Sequence, residues 1–382
     1  MTDTGGSRYF TNEARPSRRA GVRDEFIASL TRINAFNPPV QTCSTGWGFH
    51  GLFKGPTSVA YLFLRLARSH PDVVFKGQSF SDWAQAYLDL GPTGKHGEID
   101  PNHCGIANEV LAQLALRAAI EQDASLVQRL CSYAKVINTT DEQGSDEWLY
   151  GRSGYLYFLR LVRSALDPQE QFSANKLVEE TIQKTVDRIL ASPRPWRWHG
   201  TAYLGAAHGS IGIVCQVVLS APSRAGLLEE TVAQLLDLQF PSGNFPSSLP
   251  PGSDELVQFC HGGPGFVLAL TSIRPYFPAL QARIDQAVEA ARRDIWRRGL
   301  LTKVPCLCHG IAGNALALAD EAEFEHFLAC MTTDVLESQD WMADAGRSDK
   351  FVGLYGGEAG RAWVWSVADK KMEKTCLGFN DL

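Results

Sequence analysis

Two short stretches of this chain carry residue types that could do chemistry: Phe259-Cys260-His261-Gly262 and Leu307-Cys308-His309-Gly310. Thiolate and imidazole are donors that zinc prefers. A catalytic zinc takes three of them from the protein and keeps the fourth tetrahedral position open. Cys308 and His309 are adjacent, and Cys260 comes from the equivalent stretch before them, so Cys260, Cys308 and His309 form the expected ligand set. His261 and Cys306 are spare candidates, Cys306 as a neighbour rather than a ligand. The alternative is that these are buried thiols and histidines capping helix starts. No C-x-x-C pair is present, so a small structural zinc knot is not expected.

His208 occupies the slot of His261 and His309, with Ala207 in place of the cysteine. A histidine there, not bound to metal, can exchange protons near neutral pH; the alternative is again a helix cap. Glu147 and Asp146 precede Tyr150-Gly151 and could place a carboxylate at the same mouth. Acids ahead of a helix also serve simply as partners of its dipole.

The elements that must position these residues follow from a repeat. Lys54-Gly55-Pro56-Thr57-Ser58, Cys104-Gly105-Ile106-Ala107-Asn108, Tyr150-Gly151-Arg152-Ser153-Gly154, His208-Gly209-Ser210-Ile211-Gly212, His261-Gly262-Gly263-Pro264-Gly265, His309-Gly310-Ile311-Ala312-Gly313 and Gly356-Gly357-Glu358-Ala359-Gly360 are seven versions of one step. Each runs into an apolar stretch, and the first two are degraded, with Ser58 and Asn108 where the others have glycine. Amphipathic segments lie between them, as at Val178, Ile182, Val186 and Ile189, or at Ile284, Val288, Ala291 and Ile295. Strand signals are scarce. The fold class is therefore all-α, an α/α toroid of seven inner and seven outer helices, the inner ones apolar all round. Glycines let each chain turn sharply into an inner helix and let neighbours approach closely. The inner helix N-termini would line one mouth of the ring, where their dipoles favour thiolates.

Residues 1–40 read as an N-terminal arm with one helix from Asp24 to Asn34, and 41–382 as the seven-repeat toroid. The segment Pro241-Ser242-Gly243-Asn244-Phe245-Pro246 is a loop by composition and is expected to arch near Cys260. The basic run from Arg292 to Arg298 reads most simply as a solvated helix face.

Composition excludes several classes. A net charge of -6 argues against a nucleic-acid binder. No apolar run is long enough to span a bilayer, and Met1-Thr2-Asp3-Thr4 begins neither a signal peptide nor a myristoylation motif. Nine cysteines without such a signal read as reduced thiols, so a cytoplasmic location is expected.

The strings Trp148-Leu149-Tyr150-Gly151-Arg152-Ser153-Gly154, Tyr203-Leu204-Gly205-Ala206-Ala207-His208-Gly209, Pro241-Ser242-Gly243-Asn244-Phe245-Pro246, Phe259-Cys260-His261-Gly262 and Cys308-His309-Gly310-Ile311-Ala312-Gly313-Asn314 together resemble the lanthionine synthetase C-like family, in its eukaryotic glutathione-binding branch. The resemblance spans nearly the whole chain. It implies zinc held by Cys260, Cys308 and His309, with His208 as the acid/base residue. It also implies glutathione as co-substrate, contacted by Lys303 and, as looser matches, by Arg347 and Arg8. Bacterial members close thioether rings by adding a peptide thiol to dehydroalanine or dehydrobutyrine. A cyclase would carry Arg four residues before the first zinc cysteine; this chain has Leu256, which argues against peptide cyclisation.

The expected function is zinc-dependent addition of glutathione to dehydroamino acids in proteins or peptides. The competing reading is a non-catalytic adaptor that binds glutathione or a signalling protein and retains zinc. A kinase or signalling protein is a candidate partner in either. A zinc prenyltransferase subunit is a third reading, ranked low because no Asp stands beside the Cys-His pairs.

Overall fold

The computed structural model describes residues 7–12, 21–40, 47–91, 97–139, 145–167, 169–342 and 351–382. Sixteen α-helices make up the described part: α1 (Val22–Phe36), α2 (Pro56–Ser69), α3 (Phe80–Leu88), α4 (Glu109–Glu121), α5 (Ala124–Ser132), α6 (Ala134–Ile137), α7 (Arg152–Ala165), α8 (Phe172–Leu190), α9 (Ser210–Ser220), α10 (Glu229–Asp237), α11 (Gly263–Ile273), α12 (Gln281–Arg298), α13 (Ile311–Leu316), α14 (Glu321–Ala329), α15 (Thr333–Ser338) and α16 (Glu358–Lys370). Two short antiparallel ladders accompany them, β1 (Val74–Phe75) with β2 (Gln78–Ser79) and β3 (Ala202–Tyr203) with β4 (Ser248–Leu249).

Seven helices form a closed inner ring in the order α2, α4, α7, α9, α11, α13, α16, with α16 packed back on α2. Outside them, α3 lies on α2, α5 on α4, α8 on α7, α10 and the 3-10 segment Pro222–Leu228 on α9, α12 on α11 and α14 on α13. The seventh outer partner is α1, which packs on α16 although it comes first in the chain. The architecture is the α/α toroid that the sevenfold step implies.

Each inner helix begins at its step. Glycine stands at the N-cap of six of them, as Gly55, Gly151, Gly209, Gly262, Gly310 and Gly357. In the second repeat α4 starts later, and the Asn108 side chain accepts from the Leu111 N–H at 2.9 Å. The departure from glycine there is thus a side-chain cap, the kind of contact that contributes about 1 kcal/mol.

The glycine that follows three residues later answers a different need. A Cβ at Gly154, Gly212, Gly265, Gly313 or Gly360 would stand 2.0 to 2.2 Å from the carbonyl oxygen of Trp148, Ala206, Phe259, Leu307 or Leu354. In every case that carbonyl belongs to the residue six places earlier, so each step curls back on its own helix. Ser58 takes this place in the first repeat, its hydroxyl donating to the Gly55 carbonyl at 2.7 Å.

The turns before the helices are joined hand to hand around the mouth. The Leu52 N–H reaches the Ile106 carbonyl, Cys104 and Gly105 reach Tyr150, Trp148 and Leu149 reach Ala207, Cys260 reaches Cys308, Cys308 reaches Tyr355, and Tyr355 returns to Phe53. At the remaining junction, Gly205 packs against the Cys260 carbonyl, leaving no room for a Cβ. This belt fixes equivalent positions of neighbouring repeats side by side.

The inner helices are not apolar all round. Arg152, Arg160 and Arg361 are buried on them. Each has a partner: Arg152 pairs with Asp146 at 2.9 Å, Arg160 donates to Gln216 at 2.8 Å, and Arg361 pairs with Glu358 at 2.5 Å. Arg152 and Arg361 are tolerable there because each faces a carboxylate, whereas Arg160 is held by the neutral acceptors Gln216 and the Phe379 carbonyl.

Among the described residues, no helix is long and apolar enough to cross a membrane.

Candidate functional site

The belt brings the two Cys-His stretches together. Cys260 donates its N–H to the Cys308 carbonyl at 3.1 Å, and Cys308 donates its own to Tyr355 at 3.0 Å. Just beyond, Gly262 turns into α11 with φ +114°, and a Cβ there would lie 1.9 Å from the Leu256 carbonyl. Asn244 stabilises that turn. Its Oδ1 accepts from the Gly263 N–H at 2.7 Å, and its Nδ2 donates to the Leu256 carbonyl at 3.1 Å. The loop expected to arch near Cys260 therefore acts as its buttress. Arg298 holds the other side, donating to the Asp254 carboxylate at 2.9 Å.

Potential donor atoms of Cys260, Cys308 and His309 all lie within 4.8 Å of one another, the one such group among the described residues. Tetrahedral zinc with bonds of about 2.0–2.3 Å sets its donors roughly 3.5 Å apart, so two thiols and an imidazole at this separation fit it. Cys260 and Cys308 are buried, while His309 is half-buried. Three protein donors leave one position for an exogenous ligand. Gln258 donates its Nε2–H to the Cys260 sulfur at 3.2 Å, a contact that steadies a thiolate.

Electrostatics separates the two thiols. Hydrogen bonding from Cys308, against the opposing cost of burial, holds Cys260 well below the usual thiol range, with help from His309. Cys308 is pushed up, first by its bond to Cys260 and then by burial. His309 rises to about 10 through its bonds to Cys260 and Cys306. Cys306 is thus a buried neighbour of His309 and falls outside the ligand group. His261 also stands outside it, with a buried Nδ1 that has no hydrogen-bond partner among the described residues.

His208 stands beside His261, the residue that follows Cys260, with their ring centroids 6.0 Å apart. Its Nδ1 meets the Glu147 carboxylate at 2.8 Å. Glu147 is buried and also accepts the N–H groups of Leu149 (2.9 Å) and Tyr150, so its position is fixed by the turn it precedes. Asp146, the other acid of that turn, is spent on Arg152. Aromatic rings enclose His208: Trp198 stacks on it at 4.0 Å and 2°, while Tyr150 and Tyr203 stand 6.1 and 5.9 Å away.

The expected glutathione contacts are arranged differently. Lys303 is exposed. Next to it, the Thr302 N–H bonds the Arg8 carbonyl at 3.1 Å and the Phe10 N–H bonds Leu300 at 2.7 Å, so the segment 7–10 lies along 300–302. The Arg8 guanidinium pairs with Glu255 at 2.8 Å, both side chains being exposed. Such a pair contributes little and leaves Arg8 free to exchange partners. Arg347 lies outside the described residues.

Sequence reasoning missed Gln258, which carries no pattern of its own, and Trp198. The signal for Trp198 was the His199-Gly200 dipeptide between Trp198 and Thr201, a two-residue hairpin turn.

The sequence profile of the lanthionine synthetase C-like protein family matches residues 100–373. Glutathione S-transferase LANCL1 of Danio rerio is 34% identical over 253 residues, covering 59% of this chain and 58% of the relative. LanC-like protein GCL1 of Arabidopsis thaliana is 29% identical over 246 residues, covering 58% and 54%. The chain thus spans little more than half the length of these relatives. The solved structure of nisin cyclase shares the fold, with a TM-score of 0.54 at 14% identity over 93% of this chain and 94% of its own. With the profile covering most of its length, the chain belongs to the lanthionine synthetase C-like family.

Proposed function

We propose that this protein adds the thiol of glutathione to dehydroalanine or dehydrobutyrine residues in proteins or peptides, with zinc held by Cys260, Cys308 and His309. The observation that carries this reading is the convergence of those three donors within 4.8 Å beside a histidine that already has a carboxylate partner. The naming of the Danio rerio relative as a glutathione S-transferase supports glutathione as the thiol.

Zinc bound there would supply a thiol ionised near neutral pH that remains nucleophilic. The residues of the chain do the rest. Gln258 orients the Cys260 sulfur through its N–H. As the sulfur of glutathione bonds to the β-carbon of the acceptor, the electron pair of the C=C bond moves to the α-carbon and its carbonyl. His208 delivers a proton to that α-carbon from Nε2, because Glu147 occupies Nδ1. The proton lost by the thiol on ionisation balances the one gained at carbon. Lys303 and Arg8, exposed on neighbouring segments, suit the carboxylates of glutathione, and Arg347 is a third candidate.

The test is direct. Purified protein is incubated with a dehydroalanine peptide and glutathione, and the products are weighed. The expected result is a gain of one glutathione, lost in Cys308→Ala and His208→Ala, with zinc lost in Cys260→Ala. Adduct formation by metal-free protein overturns the zinc assignment. Glutathione binding without adduct favours the adaptor reading.

A further inference from the structure

We infer that Trp198 is a positioning residue for His208, mounted on a rigid hairpin so that the imidazole offers its proton to one face of the acceptor. This inference rests on the proposed thiol addition and names a residue that the zinc-and-histidine scheme does not use.

The mount is built from the backbone. Trp198 and Thr201 exchange both main-chain hydrogen bonds, at 2.9 and 3.0 Å. The two residues between them, His199 and Gly200, have φ of +48° and +76°. Positive φ at both central positions is the signature of the tight hairpin turn whose twist matches its strands. Arg197 donates to the Gly200 carbonyl at 2.8 Å and ties the tip down. On the far side the hairpin continues into β3, paired with β4, and the Leu204 N–H bonds the Ser247 carbonyl at 2.9 Å. The indole therefore arrives at His208 from a braced element.

Its contact with His208 is close. The rings are 4.0 Å apart and 2° from parallel, so the indole covers one imidazole face. Glu147 restrains the ring at Nδ1. A hydrogen bond at one edge alone still allows rotation about that bond; a flat surface against one face removes it. Together they leave Nε2 as the exchanging atom, in a single orientation. Displacement by about 1 Å of a group that must meet a reacting atom can cost about a hundredfold in rate.

Because the α-carbon becomes a stereocentre when it is protonated, the product records the direction of proton delivery. Wild type and Trp198→Phe are expected to give a single diastereomer of the glutathione adduct. Trp198→Ala is expected to give both, with kcat lowered about tenfold or more, while KM for glutathione and zinc content stay within twofold. Gly200→Ala strains only the turn, since no atom of the described residues lies within 4 Å of its added Cβ, and should act in the same direction more weakly. If Trp198→Ala does not fold, this variant decides. A single diastereomer at the wild-type rate from the folded variant that decides overturns the inference.

A second readout needs no turnover. In wild type the indole ring current shifts the His208 Cε1–H resonance upfield, and Trp198→Ala should release that shift while Trp198→Phe largely retains it. An unmoved resonance in folded Trp198→Ala overturns the stacking. If wild type shows the shift but forms no adduct, the thiol-addition reading fails while the restraint stands.

Discussion

Glu147 and His208 lie 61 residues apart in the chain and 2.8 Å apart at the mouth of the ring. The belt makes them neighbours: Trp148 and Leu149, which follow Glu147, both donate to the carbonyl of Ala207, which precedes His208. The carboxylate is thus placed by the same hydrogen bonds that close the ring at this junction. Glu147→Gln keeps the shape but can present an N–H to Nδ1 and favour the wrong tautomer. The expected outcome is a fall in kcat for thiol addition of about a hundredfold, the low end of what a positioned acid or base contributes. Zinc content should stay unchanged. A rate within threefold of wild type, measured by product mass, would remove Glu147 from the mechanism.

The curled step makes a prediction about the metal without touching a ligand. Gly313 faces the Leu307 carbonyl, where a Cβ would stand 2.0 Å from the oxygen. Leu307 precedes Cys308, so relief of that clash must shift the turn that carries this proposed zinc ligand. Gly313→Ala is expected to cost about 3 kcal/mol, the upper end for overpacking, and to lower zinc affinity. Gly226→Ala, with nothing within 4 Å, serves as the control. Urea midpoints and zinc titration of both proteins check this, and unchanged zinc affinity in Gly313→Ala would refute the coupling.

What the sequence disclosed, and what it hid, follows from the same geometry. The steps were legible because the close approach to a carbonyl demands glycine in five of the seven, and a demand repeated at near-constant spacing becomes a pattern. The proximity of Cys260 to Cys308 followed from that pattern alone. The offset of α4 was hidden because Asn108, standing where later steps carry their second glycine, is itself the N-cap of the helix and accepts from the Leu111 N–H. The pairing of α1 with α16 was hidden because ring closure joins the two ends of the order, which no local period reports. The run from Arg292 to Arg298 read as a solvated face. Arg293 does pair with Glu289 in the open, but Arg298 is drawn inward by Asp294 and Asp254. Charge alone does not tell these apart.

The middle of the ring holds a second polar assembly. The Asp381 carboxylate is fully buried; it accepts from Tyr61 at 2.6 Å, from Tyr157 at 2.9 Å and from the Gly378 N–H at 2.9 Å, with the Arg65 Nε 3.6 Å away. Phe379, two residues before it, packs on Trp148 and Phe259, next to Glu147 and Cys260. Asp381→Ala leaves Arg65 without its counter-charge, a loss expected to cost about 3–5 kcal/mol. Asp381→Asn should cost less, since it keeps the acceptor. Denaturant unfolding measures both, and equal stability of wild type and Asp381→Ala would mean the tail contributes no support to the ring.

Closure of the ring has its own charge cluster, and it gives a pH dependence of definite sign. Glu358, buried at the start of α16, accepts from Ser29 at 2.5 Å and Arg32 at 3.0 Å on α1, and from Arg361 at 2.5 Å on its own helix. Burial alone would raise its pKa, but the neighbouring Arg361 and Arg32 outweigh that and hold it below the ordinary value of 4.5. A carboxylate favoured in the folded state contributes its stability above pH 4.5 and loses it as pH falls through the folded value. Wild type should therefore hold this contribution from neutrality down to about pH 5 and shed it below. Glu358→Gln removes the charge at every pH. It is expected to be less stable by about 3 kcal/mol at pH 7, because two arginines at the closure lose their counter-ion. The gap should narrow as pH falls, since protonation brings wild type to the same neutral state. Urea midpoints of the two proteins at pH 7, 5, 4 and 3 decide the matter; a gap that stays constant across that range would show that ionisation of Glu358 does not hold the first helix to the last.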